Sequence, residues 1–179
     1  MAVVGPSGAG KDTLVAGARA SLAGDARVRF VRRAITRPAE VGGEDHLPMD
    51  PAAFAALRES GGFALSWEAH GLLYGIPRDV EADLAAARVV VANLSRTALA
   101  EADWRYPLLV LEITAPPEVR AARLAARGRE DAAAIEARLA REAPLPAGLR
   151  VTRVVNDGTA EEGVARVVEA LRAALARAG

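Results

Sequence analysis

The chain has no cysteine, a single lysine, no net charge and no apolar run longer than a strand. Each absence excludes something. Without cysteine there are no disulfides and no thiolate metal sites, and nothing points to secretion. With 23 basic and 23 acidic residues, no overall field draws the chain to nucleic acid or anionic membrane, so any recognition of phosphate must be local. The apolar runs are too short to span a bilayer, and MAVVGPSG enters a motif directly, without a signal-peptide pattern. These absences predict a soluble cytoplasmic protein with no nucleic-acid or membrane partner, and leave a homodimer open. Internal repeats and low-complexity linkers are absent too. The 179 residues suffice for one globular domain with a substantial core and not for a second.

The scarcity of lysine is itself informative, because 22 of the 23 basic residues are arginine. In such a background, lysine survives only where a compact ammonium on a flexible stem is needed to reach phosphate oxygens. The one lysine stands in GPSGAGKDTL, residues 5 to 14, where Gly5, Gly10 and Lys11 complete the pattern G-x-x-x-x-G-K. At this composition, glycines would fall six and one positions before a lone lysine by chance about once in 125. Residues Gly5, Pro6, Ser7, Gly8, Ala9 and Gly10 would wrap a nucleotide's phosphates, all but Pro6 with a backbone N–H to offer, and Lys11 would neutralise them. The hydroxyl expected after the lysine, a magnesium ligand, is replaced by Asp12, with Thr13 behind it. One residue along a helix turns a side chain by about 100°, so Thr13 cannot take its neighbour's place. Either the site is broken or it has its own magnesium arrangement.

Around this loop the pattern alternates between strands and helices. MAVV reads as a buried strand feeding the loop, and a helix over about 11–22 points its N-terminus at the anion. RVRFVRRAI, residues 27 to 35, reads as the next strand and is followed by a polar, glycine-containing loop. Asp50 and Pro51 open a helix to about Glu59. Residues 61 to 77 read as two strands turning near His70 and Gly71. A helix over about 78–87 precedes the apolar strand RVVVANL, and PLLVLEIT, residues 107 to 114, is another. Pro116 and Pro117 start a helix with Arg120, Arg123 and Arg127; Gly128 interrupts it, and Asp131 caps a helix carrying Arg138 and Arg141. VTRVVND is the last strand, and Thr159 with Glu162 forms a capping box for the C-terminal helix. Apolar strands alternating with helices predict an α/β domain with a parallel sheet. The predicted layout is a core of residues 1–35, 83–120 and 143–179, an inserted acceptor-binding lobe of 36–82 and a short helical lid of 121–142.

Phosphoryl transfer needs positive charge beyond the moving group and a pocket for the acceptor. Arg123, Arg127 and Arg129 surround the glycine hinge and Arg138 lies about two turns into the next helix, as arginines of a closing lid would. Arg32, Arg33 and Arg37 end a strand and enter the inserted lobe, where guanidinium forks suit a second phosphate. His46 follows Glu44 and Asp45 in the same loop, and Glu68, beside Trp67 and facing the Tyr74 turn, could accept hydrogen bonds from acceptor hydroxyls.

GPSGAGKDTL, RRAITRP, GGEDH, LSWEAHGLLYGIP, RLAARGRED and VVNDG resemble, in order and spacing over nearly the whole chain, the guanylate kinase-like P-loop superfamily. More narrowly they are similar to the ribose 1,5-bisphosphate phosphokinases of phosphonate catabolism, which make 5-phosphoribosyl 1-diphosphate (PRPP) from ATP. The resemblance implies ATP and Mg2+ as cofactors, a small sugar phosphate as acceptor, and catalytic roles for Lys11, Arg127 and Arg138. It implies that Asp12 holds magnesium through water, that Thr13 meets the α-phosphate, that Asn156 lies with the nucleotide, and that Arg33, Arg37, His46, Glu68 and Tyr74 meet the acceptor. Guanylate kinases bind the acceptor phosphate with a serine, two arginines and a tyrosine; the matching positions here are Arg33, Arg37, Glu40 and His46, with Tyr74 a further tyrosine. They also carry an aspartate that reads guanine after the strand matching RVVVANL, where this chain has Ala92, Asn93, Leu94, Ser95 and Arg96. A sugar bisphosphate therefore fits the resemblance better than a nucleotide base. Its anionic 1-phosphate oxygen needs positioning and neutralisation rather than a covalent intermediate. The alternatives are a guanylate or nucleoside monophosphate kinase and, from another class, a catalytically silent guanylate kinase-like binding module. Such modules tend to lose the lysine and lid arginines that this chain keeps.

Overall fold

In chain order, the computed structural model contains β1 (Ala2–Val4), α1 (Lys11–Ser21), β2 (Val28–Phe30), β3 (Ala34–Ile35), β4 (Leu47–Pro48), α2 (Pro51–Glu59), β5 (Phe63–Ala69) and β6 (Leu72–Pro77), followed by α3 (Val80–Ala85), β7 (Val89–Asn93), α4 (Leu99–Arg105), β8 (Val110–Thr114), α5 (Pro117–Ala126), β9 (Val151–Val155) and α6 (Ala160–Ala178). The residues it describes are 1–38, 45–126, 139 and 144–178. Five strands form a parallel sheet in the order β2-β7-β1-β8-β9, and four form a second sheet in the order β4-β3-β6-β5. The α/β architecture with a parallel sheet flanked by helices is the one expected.

Strand alternation divides the core between the two faces of the parallel sheet. Val3, Val91, Leu111 and Ile113 turn to one face, where Leu14 and Ala18 of α1 and Val167 and Leu171 of α6 cover them. Ala2, Val4, Val90, Ala92 and Val110 turn to the other, against Leu65 and Ile76 of the second sheet, Val80 and Leu99. Burying each large aliphatic side chain contributes roughly 1.5–3 kcal/mol, so the second sheet is seated by the same force as the helices. A smaller core of Ala34, Phe54 and Phe63 sits on the far side of the second sheet, with the two phenyl rings stacked 4.5 Å apart.

Two predicted helix starts are realised in atomic detail. The Asp50 carboxylate accepts from the Ala52 N–H at 2.8 Å. The Thr159 N–H donates to Glu162 at 2.9 Å, and the Glu162 N–H donates to the Thr159 hydroxyl at 3.2 Å.

Other expectations are corrected. The single strand expected over residues 27–35 is two: β2 pairs with β7 in the parallel sheet, while β3 pairs antiparallel with β6 in the second. Continuing straight would have carried Arg32 and Arg33 along the parallel sheet, and the chain instead crosses there. The loop after it contains β4, parallel to β3. No element is predicted between the seventh and eighth strands, yet a 3-10 turn (Arg96–Ala98) and α4 lie there, held by buried Leu99 and Ala102 three residues apart. The strand expected from Pro107 begins only at Val110, and Pro107 itself has no N–H to give a ladder.

Candidate active site

The loop between β1 and α1 depends on glycine at both ends. Gly5 has φ 152°, and a Cβ there would lie 1.9 Å from the Ile113 carbonyl oxygen. Gly10 caps α1 at φ 84°, and a Cβ there would lie 2.5 Å from Nδ2 of Asn156. No side chain caps the first turn of α1, which leaves its N–H groups open to an anion, as the motif requires. The Lys11 ammonium lies over the loop, donating to the Gly5 carbonyl at 2.9 Å and the Pro6 carbonyl at 3.4 Å.

Side chains from distant elements hold the loop's backbone. Asn156, just past β9, donates from Nδ2 to the Ala9 carbonyl at 2.8 Å. Its own N–H reaches the Thr114 carbonyl at 2.7 Å, and Arg123 donates to its carbonyl at 3.2 Å. Arg120, buried on α5, donates from Nε to the Ser7 carbonyl at 3.2 Å. Asn156 thus reaches the nucleotide loop through its backbone, and Arg123, expected in the lid, sits beside it. Sequence reasoning misses Arg120 as a site residue, although an arginine early in the helix that follows β8 is a signal that a loop-facing role would leave.

Asp12 and Thr13 are exposed on the first turn of α1. Asn93, at the end of β7, donates from Nδ2 to Oδ1 of Asp12 at 3.4 Å. Its Oδ1 is buried and lacks a hydrogen-bond partner among the described residues. Among the described residues no group of three or more acidic or histidine side chains could hold a metal by itself. Magnesium keeps several waters and takes one or two carboxylates together with substrate phosphates, so an accessible Asp12 carboxylate, held by the Asn93 amide, fits that ion.

On the acceptor side, cross-strand pairing puts Trp67 opposite Tyr74, and their rings stack 5.5 Å apart. The Arg33 guanidinium lies over both, 5.8 Å from the Trp67 ring and 5.1 Å from the Tyr74 ring, a cation–π contact that fixes a long side chain. Arg37 lies farther along the same strand direction, and its Nε and Nη2 are buried with no hydrogen-bond partner among the described residues. His46 is buried; its Nε2 lies 3.1 Å from the Arg37 carbonyl, and because a carbonyl only accepts, Nε2 carries the proton. The structure thus places His46 behind Arg37, on its backbone.

Arg32 donates to the His46 carbonyl at 3.0 Å and pairs with Asp45 at 2.7 Å. Asp45 also takes Arg19 of α1 at 2.9 Å. The Arg19 hydrogen bond, and then the Arg32 charge, hold the Asp45 carboxyl below the ordinary aspartate range. Asp12, Asn93, Arg19, Arg32 and Asp45 line one cleft of about 240 Å3 between α1 and the ends of β2 and β7.

Glu68 does not join this group. It is exposed and pairs opposite Leu73, so alternation turns it to the face away from Trp67 and Tyr74. The acceptor role expected for it thus has no support from the Trp67 and Tyr74 face. Arg127 and Arg138, the expected catalytic lid arginines, lie outside the described residues, as do Arg129, Asp131, Arg141, Glu40 and Glu44.

With this geometry in place, similarity to known proteins can be read. The chain is 51% identical over 172 residues to the ribose 1,5-bisphosphate phosphokinase PhnN of a Ruegeria species, covering 95% of this chain and 88% of that protein. It is 51% identical over 172 residues to the protein of the same name from Methylobacterium radiotolerans, covering 96% of both. It is also 50% identical over 177 residues to the bifunctional ribose 1,5-bisphosphokinase-thymidine phosphorylase of Azorhizobium caulinodans, covering 98% of this chain but only 26% of that protein. The chain therefore spans about a quarter of the fused relative and most of the single ones. Among solved structures, guanylate kinase from Anaplasma phagocytophilum matches with a TM-score of 0.64 at 19% identity, covering 97% of this chain and 84% of that one. At that identity the likeness speaks for the fold. No family model matches the chain.

Proposed function

The chain belongs to the ribose 1,5-bisphosphate phosphokinase family, and on that premise we propose that it transfers the γ-phosphoryl group of ATP to ribose 1,5-bisphosphate, producing PRPP and ADP in phosphonate catabolism. The observation that carries this reading to the chain's own residues is Arg37. Two buried guanidinium nitrogens without a partner among the described residues are costly unless an acceptor supplies oxygens, and a phosphate matches their fork.

An oxygen of the acceptor's 1-phosphate attacks the γ-phosphorus, and the bond to the bridging β,γ-oxygen breaks to release ADP. That oxygen is already anionic at neutral pH, so the enzyme's tasks are positioning and charge neutralisation. The glycine loop and the N-terminus of α1 cradle the ATP phosphates, and Lys11 leaves the Gly5 carbonyl to meet the γ-phosphoryl oxygens. Asn156 and Arg120 keep the loop's carbonyls turned away from the anion. Arg37 holds an acceptor phosphate, with His46 fixing its backbone, and Arg33, steadied by Trp67 and Tyr74, offers the acceptor a second guanidinium. Magnesium, carried on the ATP and held through water by Asp12, would draw charge from the phosphate oxygens. Arg127 and Arg138 would close over the transferred group and exclude water. Among the described residues no helix is long and apolar enough to cross a membrane; the reaction as proposed takes place in the cytoplasm, where its ATP is.

The test is ADP release from Mg-ATP by the purified protein, with ribose 1,5-bisphosphate and GMP offered separately and PRPP assayed as product. Turnover with the sugar bisphosphate alone is expected. Turnover with GMP alone would replace the acceptor, and silence with both would leave a binding module.

A further inference from the structure

We propose that Asn93 is a positioning residue for the metal-bearing end of the nucleotide, forming with Asp12 an inverted version of the usual P-loop pair; the inference rests on the kinase reading above. In P-loop enzymes the ion is held by a hydroxyl after the loop lysine and by an aspartate from a neighbouring strand. Here β7 runs parallel beside β1 with Val3 opposite Asn93, so Asn93 ends the strand next to the one that enters the loop. The residue after Lys11 is a carboxylate and the strand-end residue is neutral. The acid and its uncharged partner have exchanged places.

Contact between the two supports the exchange. Nδ2 of Asn93 donates to Oδ1 of Asp12 at 3.4 Å. An ionised carboxylate only accepts, so Asp12 determines which end of the amide faces it. The other end, Oδ1, is turned into the protein and has no hydrogen-bond partner among the described residues. What Asn93 offers the metal end is therefore its Nδ2 hydrogen bond, which orients the Asp12 carboxylate so that its free oxygen would accept from a metal-bound water.

The neighbouring charges leave the pair available. In the shared cleft, Arg19 and Arg32 are both engaged by Asp45, and among the described residues Asp12 makes no ion pair. The inversion also explains why position 93 is an amide. A second carboxylate this close would repel Asp12 at neutral pH, whereas an amide keeps one negative charge and adds a donor that holds it.

The experiment measures Mn2+ binding, by electron paramagnetic resonance, to the protein loaded with a non-hydrolysable ATP analogue, for the native chain and for Asn93→Ala, Asn93→Asp, Asp12→Ser and the double Asp12→Ser/Asn93→Asp. Each single change is expected to weaken Mn2+ binding about tenfold or more, as loss of a group behind a metal's ligands does. Analogue binding without metal should be unchanged. The double variant, which restores the ordinary arrangement, should recover to within about threefold of the native chain, a non-additivity that only coupled residues show. Unchanged Mn2+ affinity in Asn93→Ala, or a double loss equal to the product of the single losses, would overturn the inference while leaving the kinase reading intact. Thermal melting checks each fold, and if Asn93→Ala does not fold, the Asn93→Asp and double variants still decide. Failure of the native chain to bind the analogue at all would overturn the kinase reading, and this inference with it.

Discussion

The two halves of the proposed site are built on opposite plans. On the nucleotide side, the loop's carbonyls are already occupied: Gly5 and Pro6 by Lys11, Ala9 by Asn156, Ser7 by Arg120. On the acceptor side, Arg37 buries two guanidinium nitrogens that have no partner among the described residues. The first side presents backbone N–H groups in a geometry set before ligand arrives, which suits phosphates common to all nucleotides. The second leaves a charged group under-satisfied, and under the proposed function a ligand with a matching anion would complete it and supply the specificity.

The comparison breaks most severely at Lys11. Replacing it with alanine is expected to lower kcat by about 10³-fold, the scale of losing a charge-stabilising donor, while calorimetric binding of ribose 1,5-bisphosphate stays near native. A parallel loss of acceptor binding would mean the two sides are not separable. Arg37→Ala should do the converse, raising the acceptor KM about 100-fold through a lost charge-assisted hydrogen-bonding group while the KM for Mg-ATP is unmoved. His46→Ala acts one step back, through the Arg37 backbone, and should raise the acceptor KM about tenfold, one hydrogen bond's worth; steady-state kinetics on the three variants would rank them.

The ionic tie between the sides should show in acid. Arg19 and Arg32 hold the Asp45 carboxyl below its ordinary value of 3.8. Its depressed folded pKa means the tie contributes fully above that value and is lost as pH falls through the lower folded one. Urea unfolding should therefore show Asp45→Asn to be less stable than the native chain at neutral pH, by about 1 kcal/mol or less for so exposed a pair. The difference should close as the pH drops well below 3.8. The smallest effect is expected at Glu68, turned to the other face: Glu68→Gln should leave both KM values within about twofold, as an exposed substitution does. A large rise in the acceptor KM there would mean the strand re-registers when substrate binds.

The contrast extends to what could be read beforehand. The loop, its helix and the capping pairs Asp50–Ala52 and Thr159–Glu162 involve residues within a few positions of each other, so spacing alone revealed them. Arg33 meets Trp67 and Tyr74 across more than thirty positions, and the partners of Arg120 and Asn93 lie still farther away. Glu68 and Trp67 are adjacent and equally suggestive as letters, yet the strand register sends them to opposite faces.

By itself, then, the sequence determined the phosphate-binding end of this protein, because a glycine loop and a helix start are local and their N–H groups point outward whatever surrounds them. It also determined the parallel sheet, through apolar runs that only burial on both faces can satisfy. Only the tertiary structure decided which strand residues face the cleft, that His46 stands behind Arg37, and that Asp12 and Asn93 meet. Those are consequences of register and of packing one sheet on another, and no local periodicity encodes the distance between side chains that are far apart in the chain.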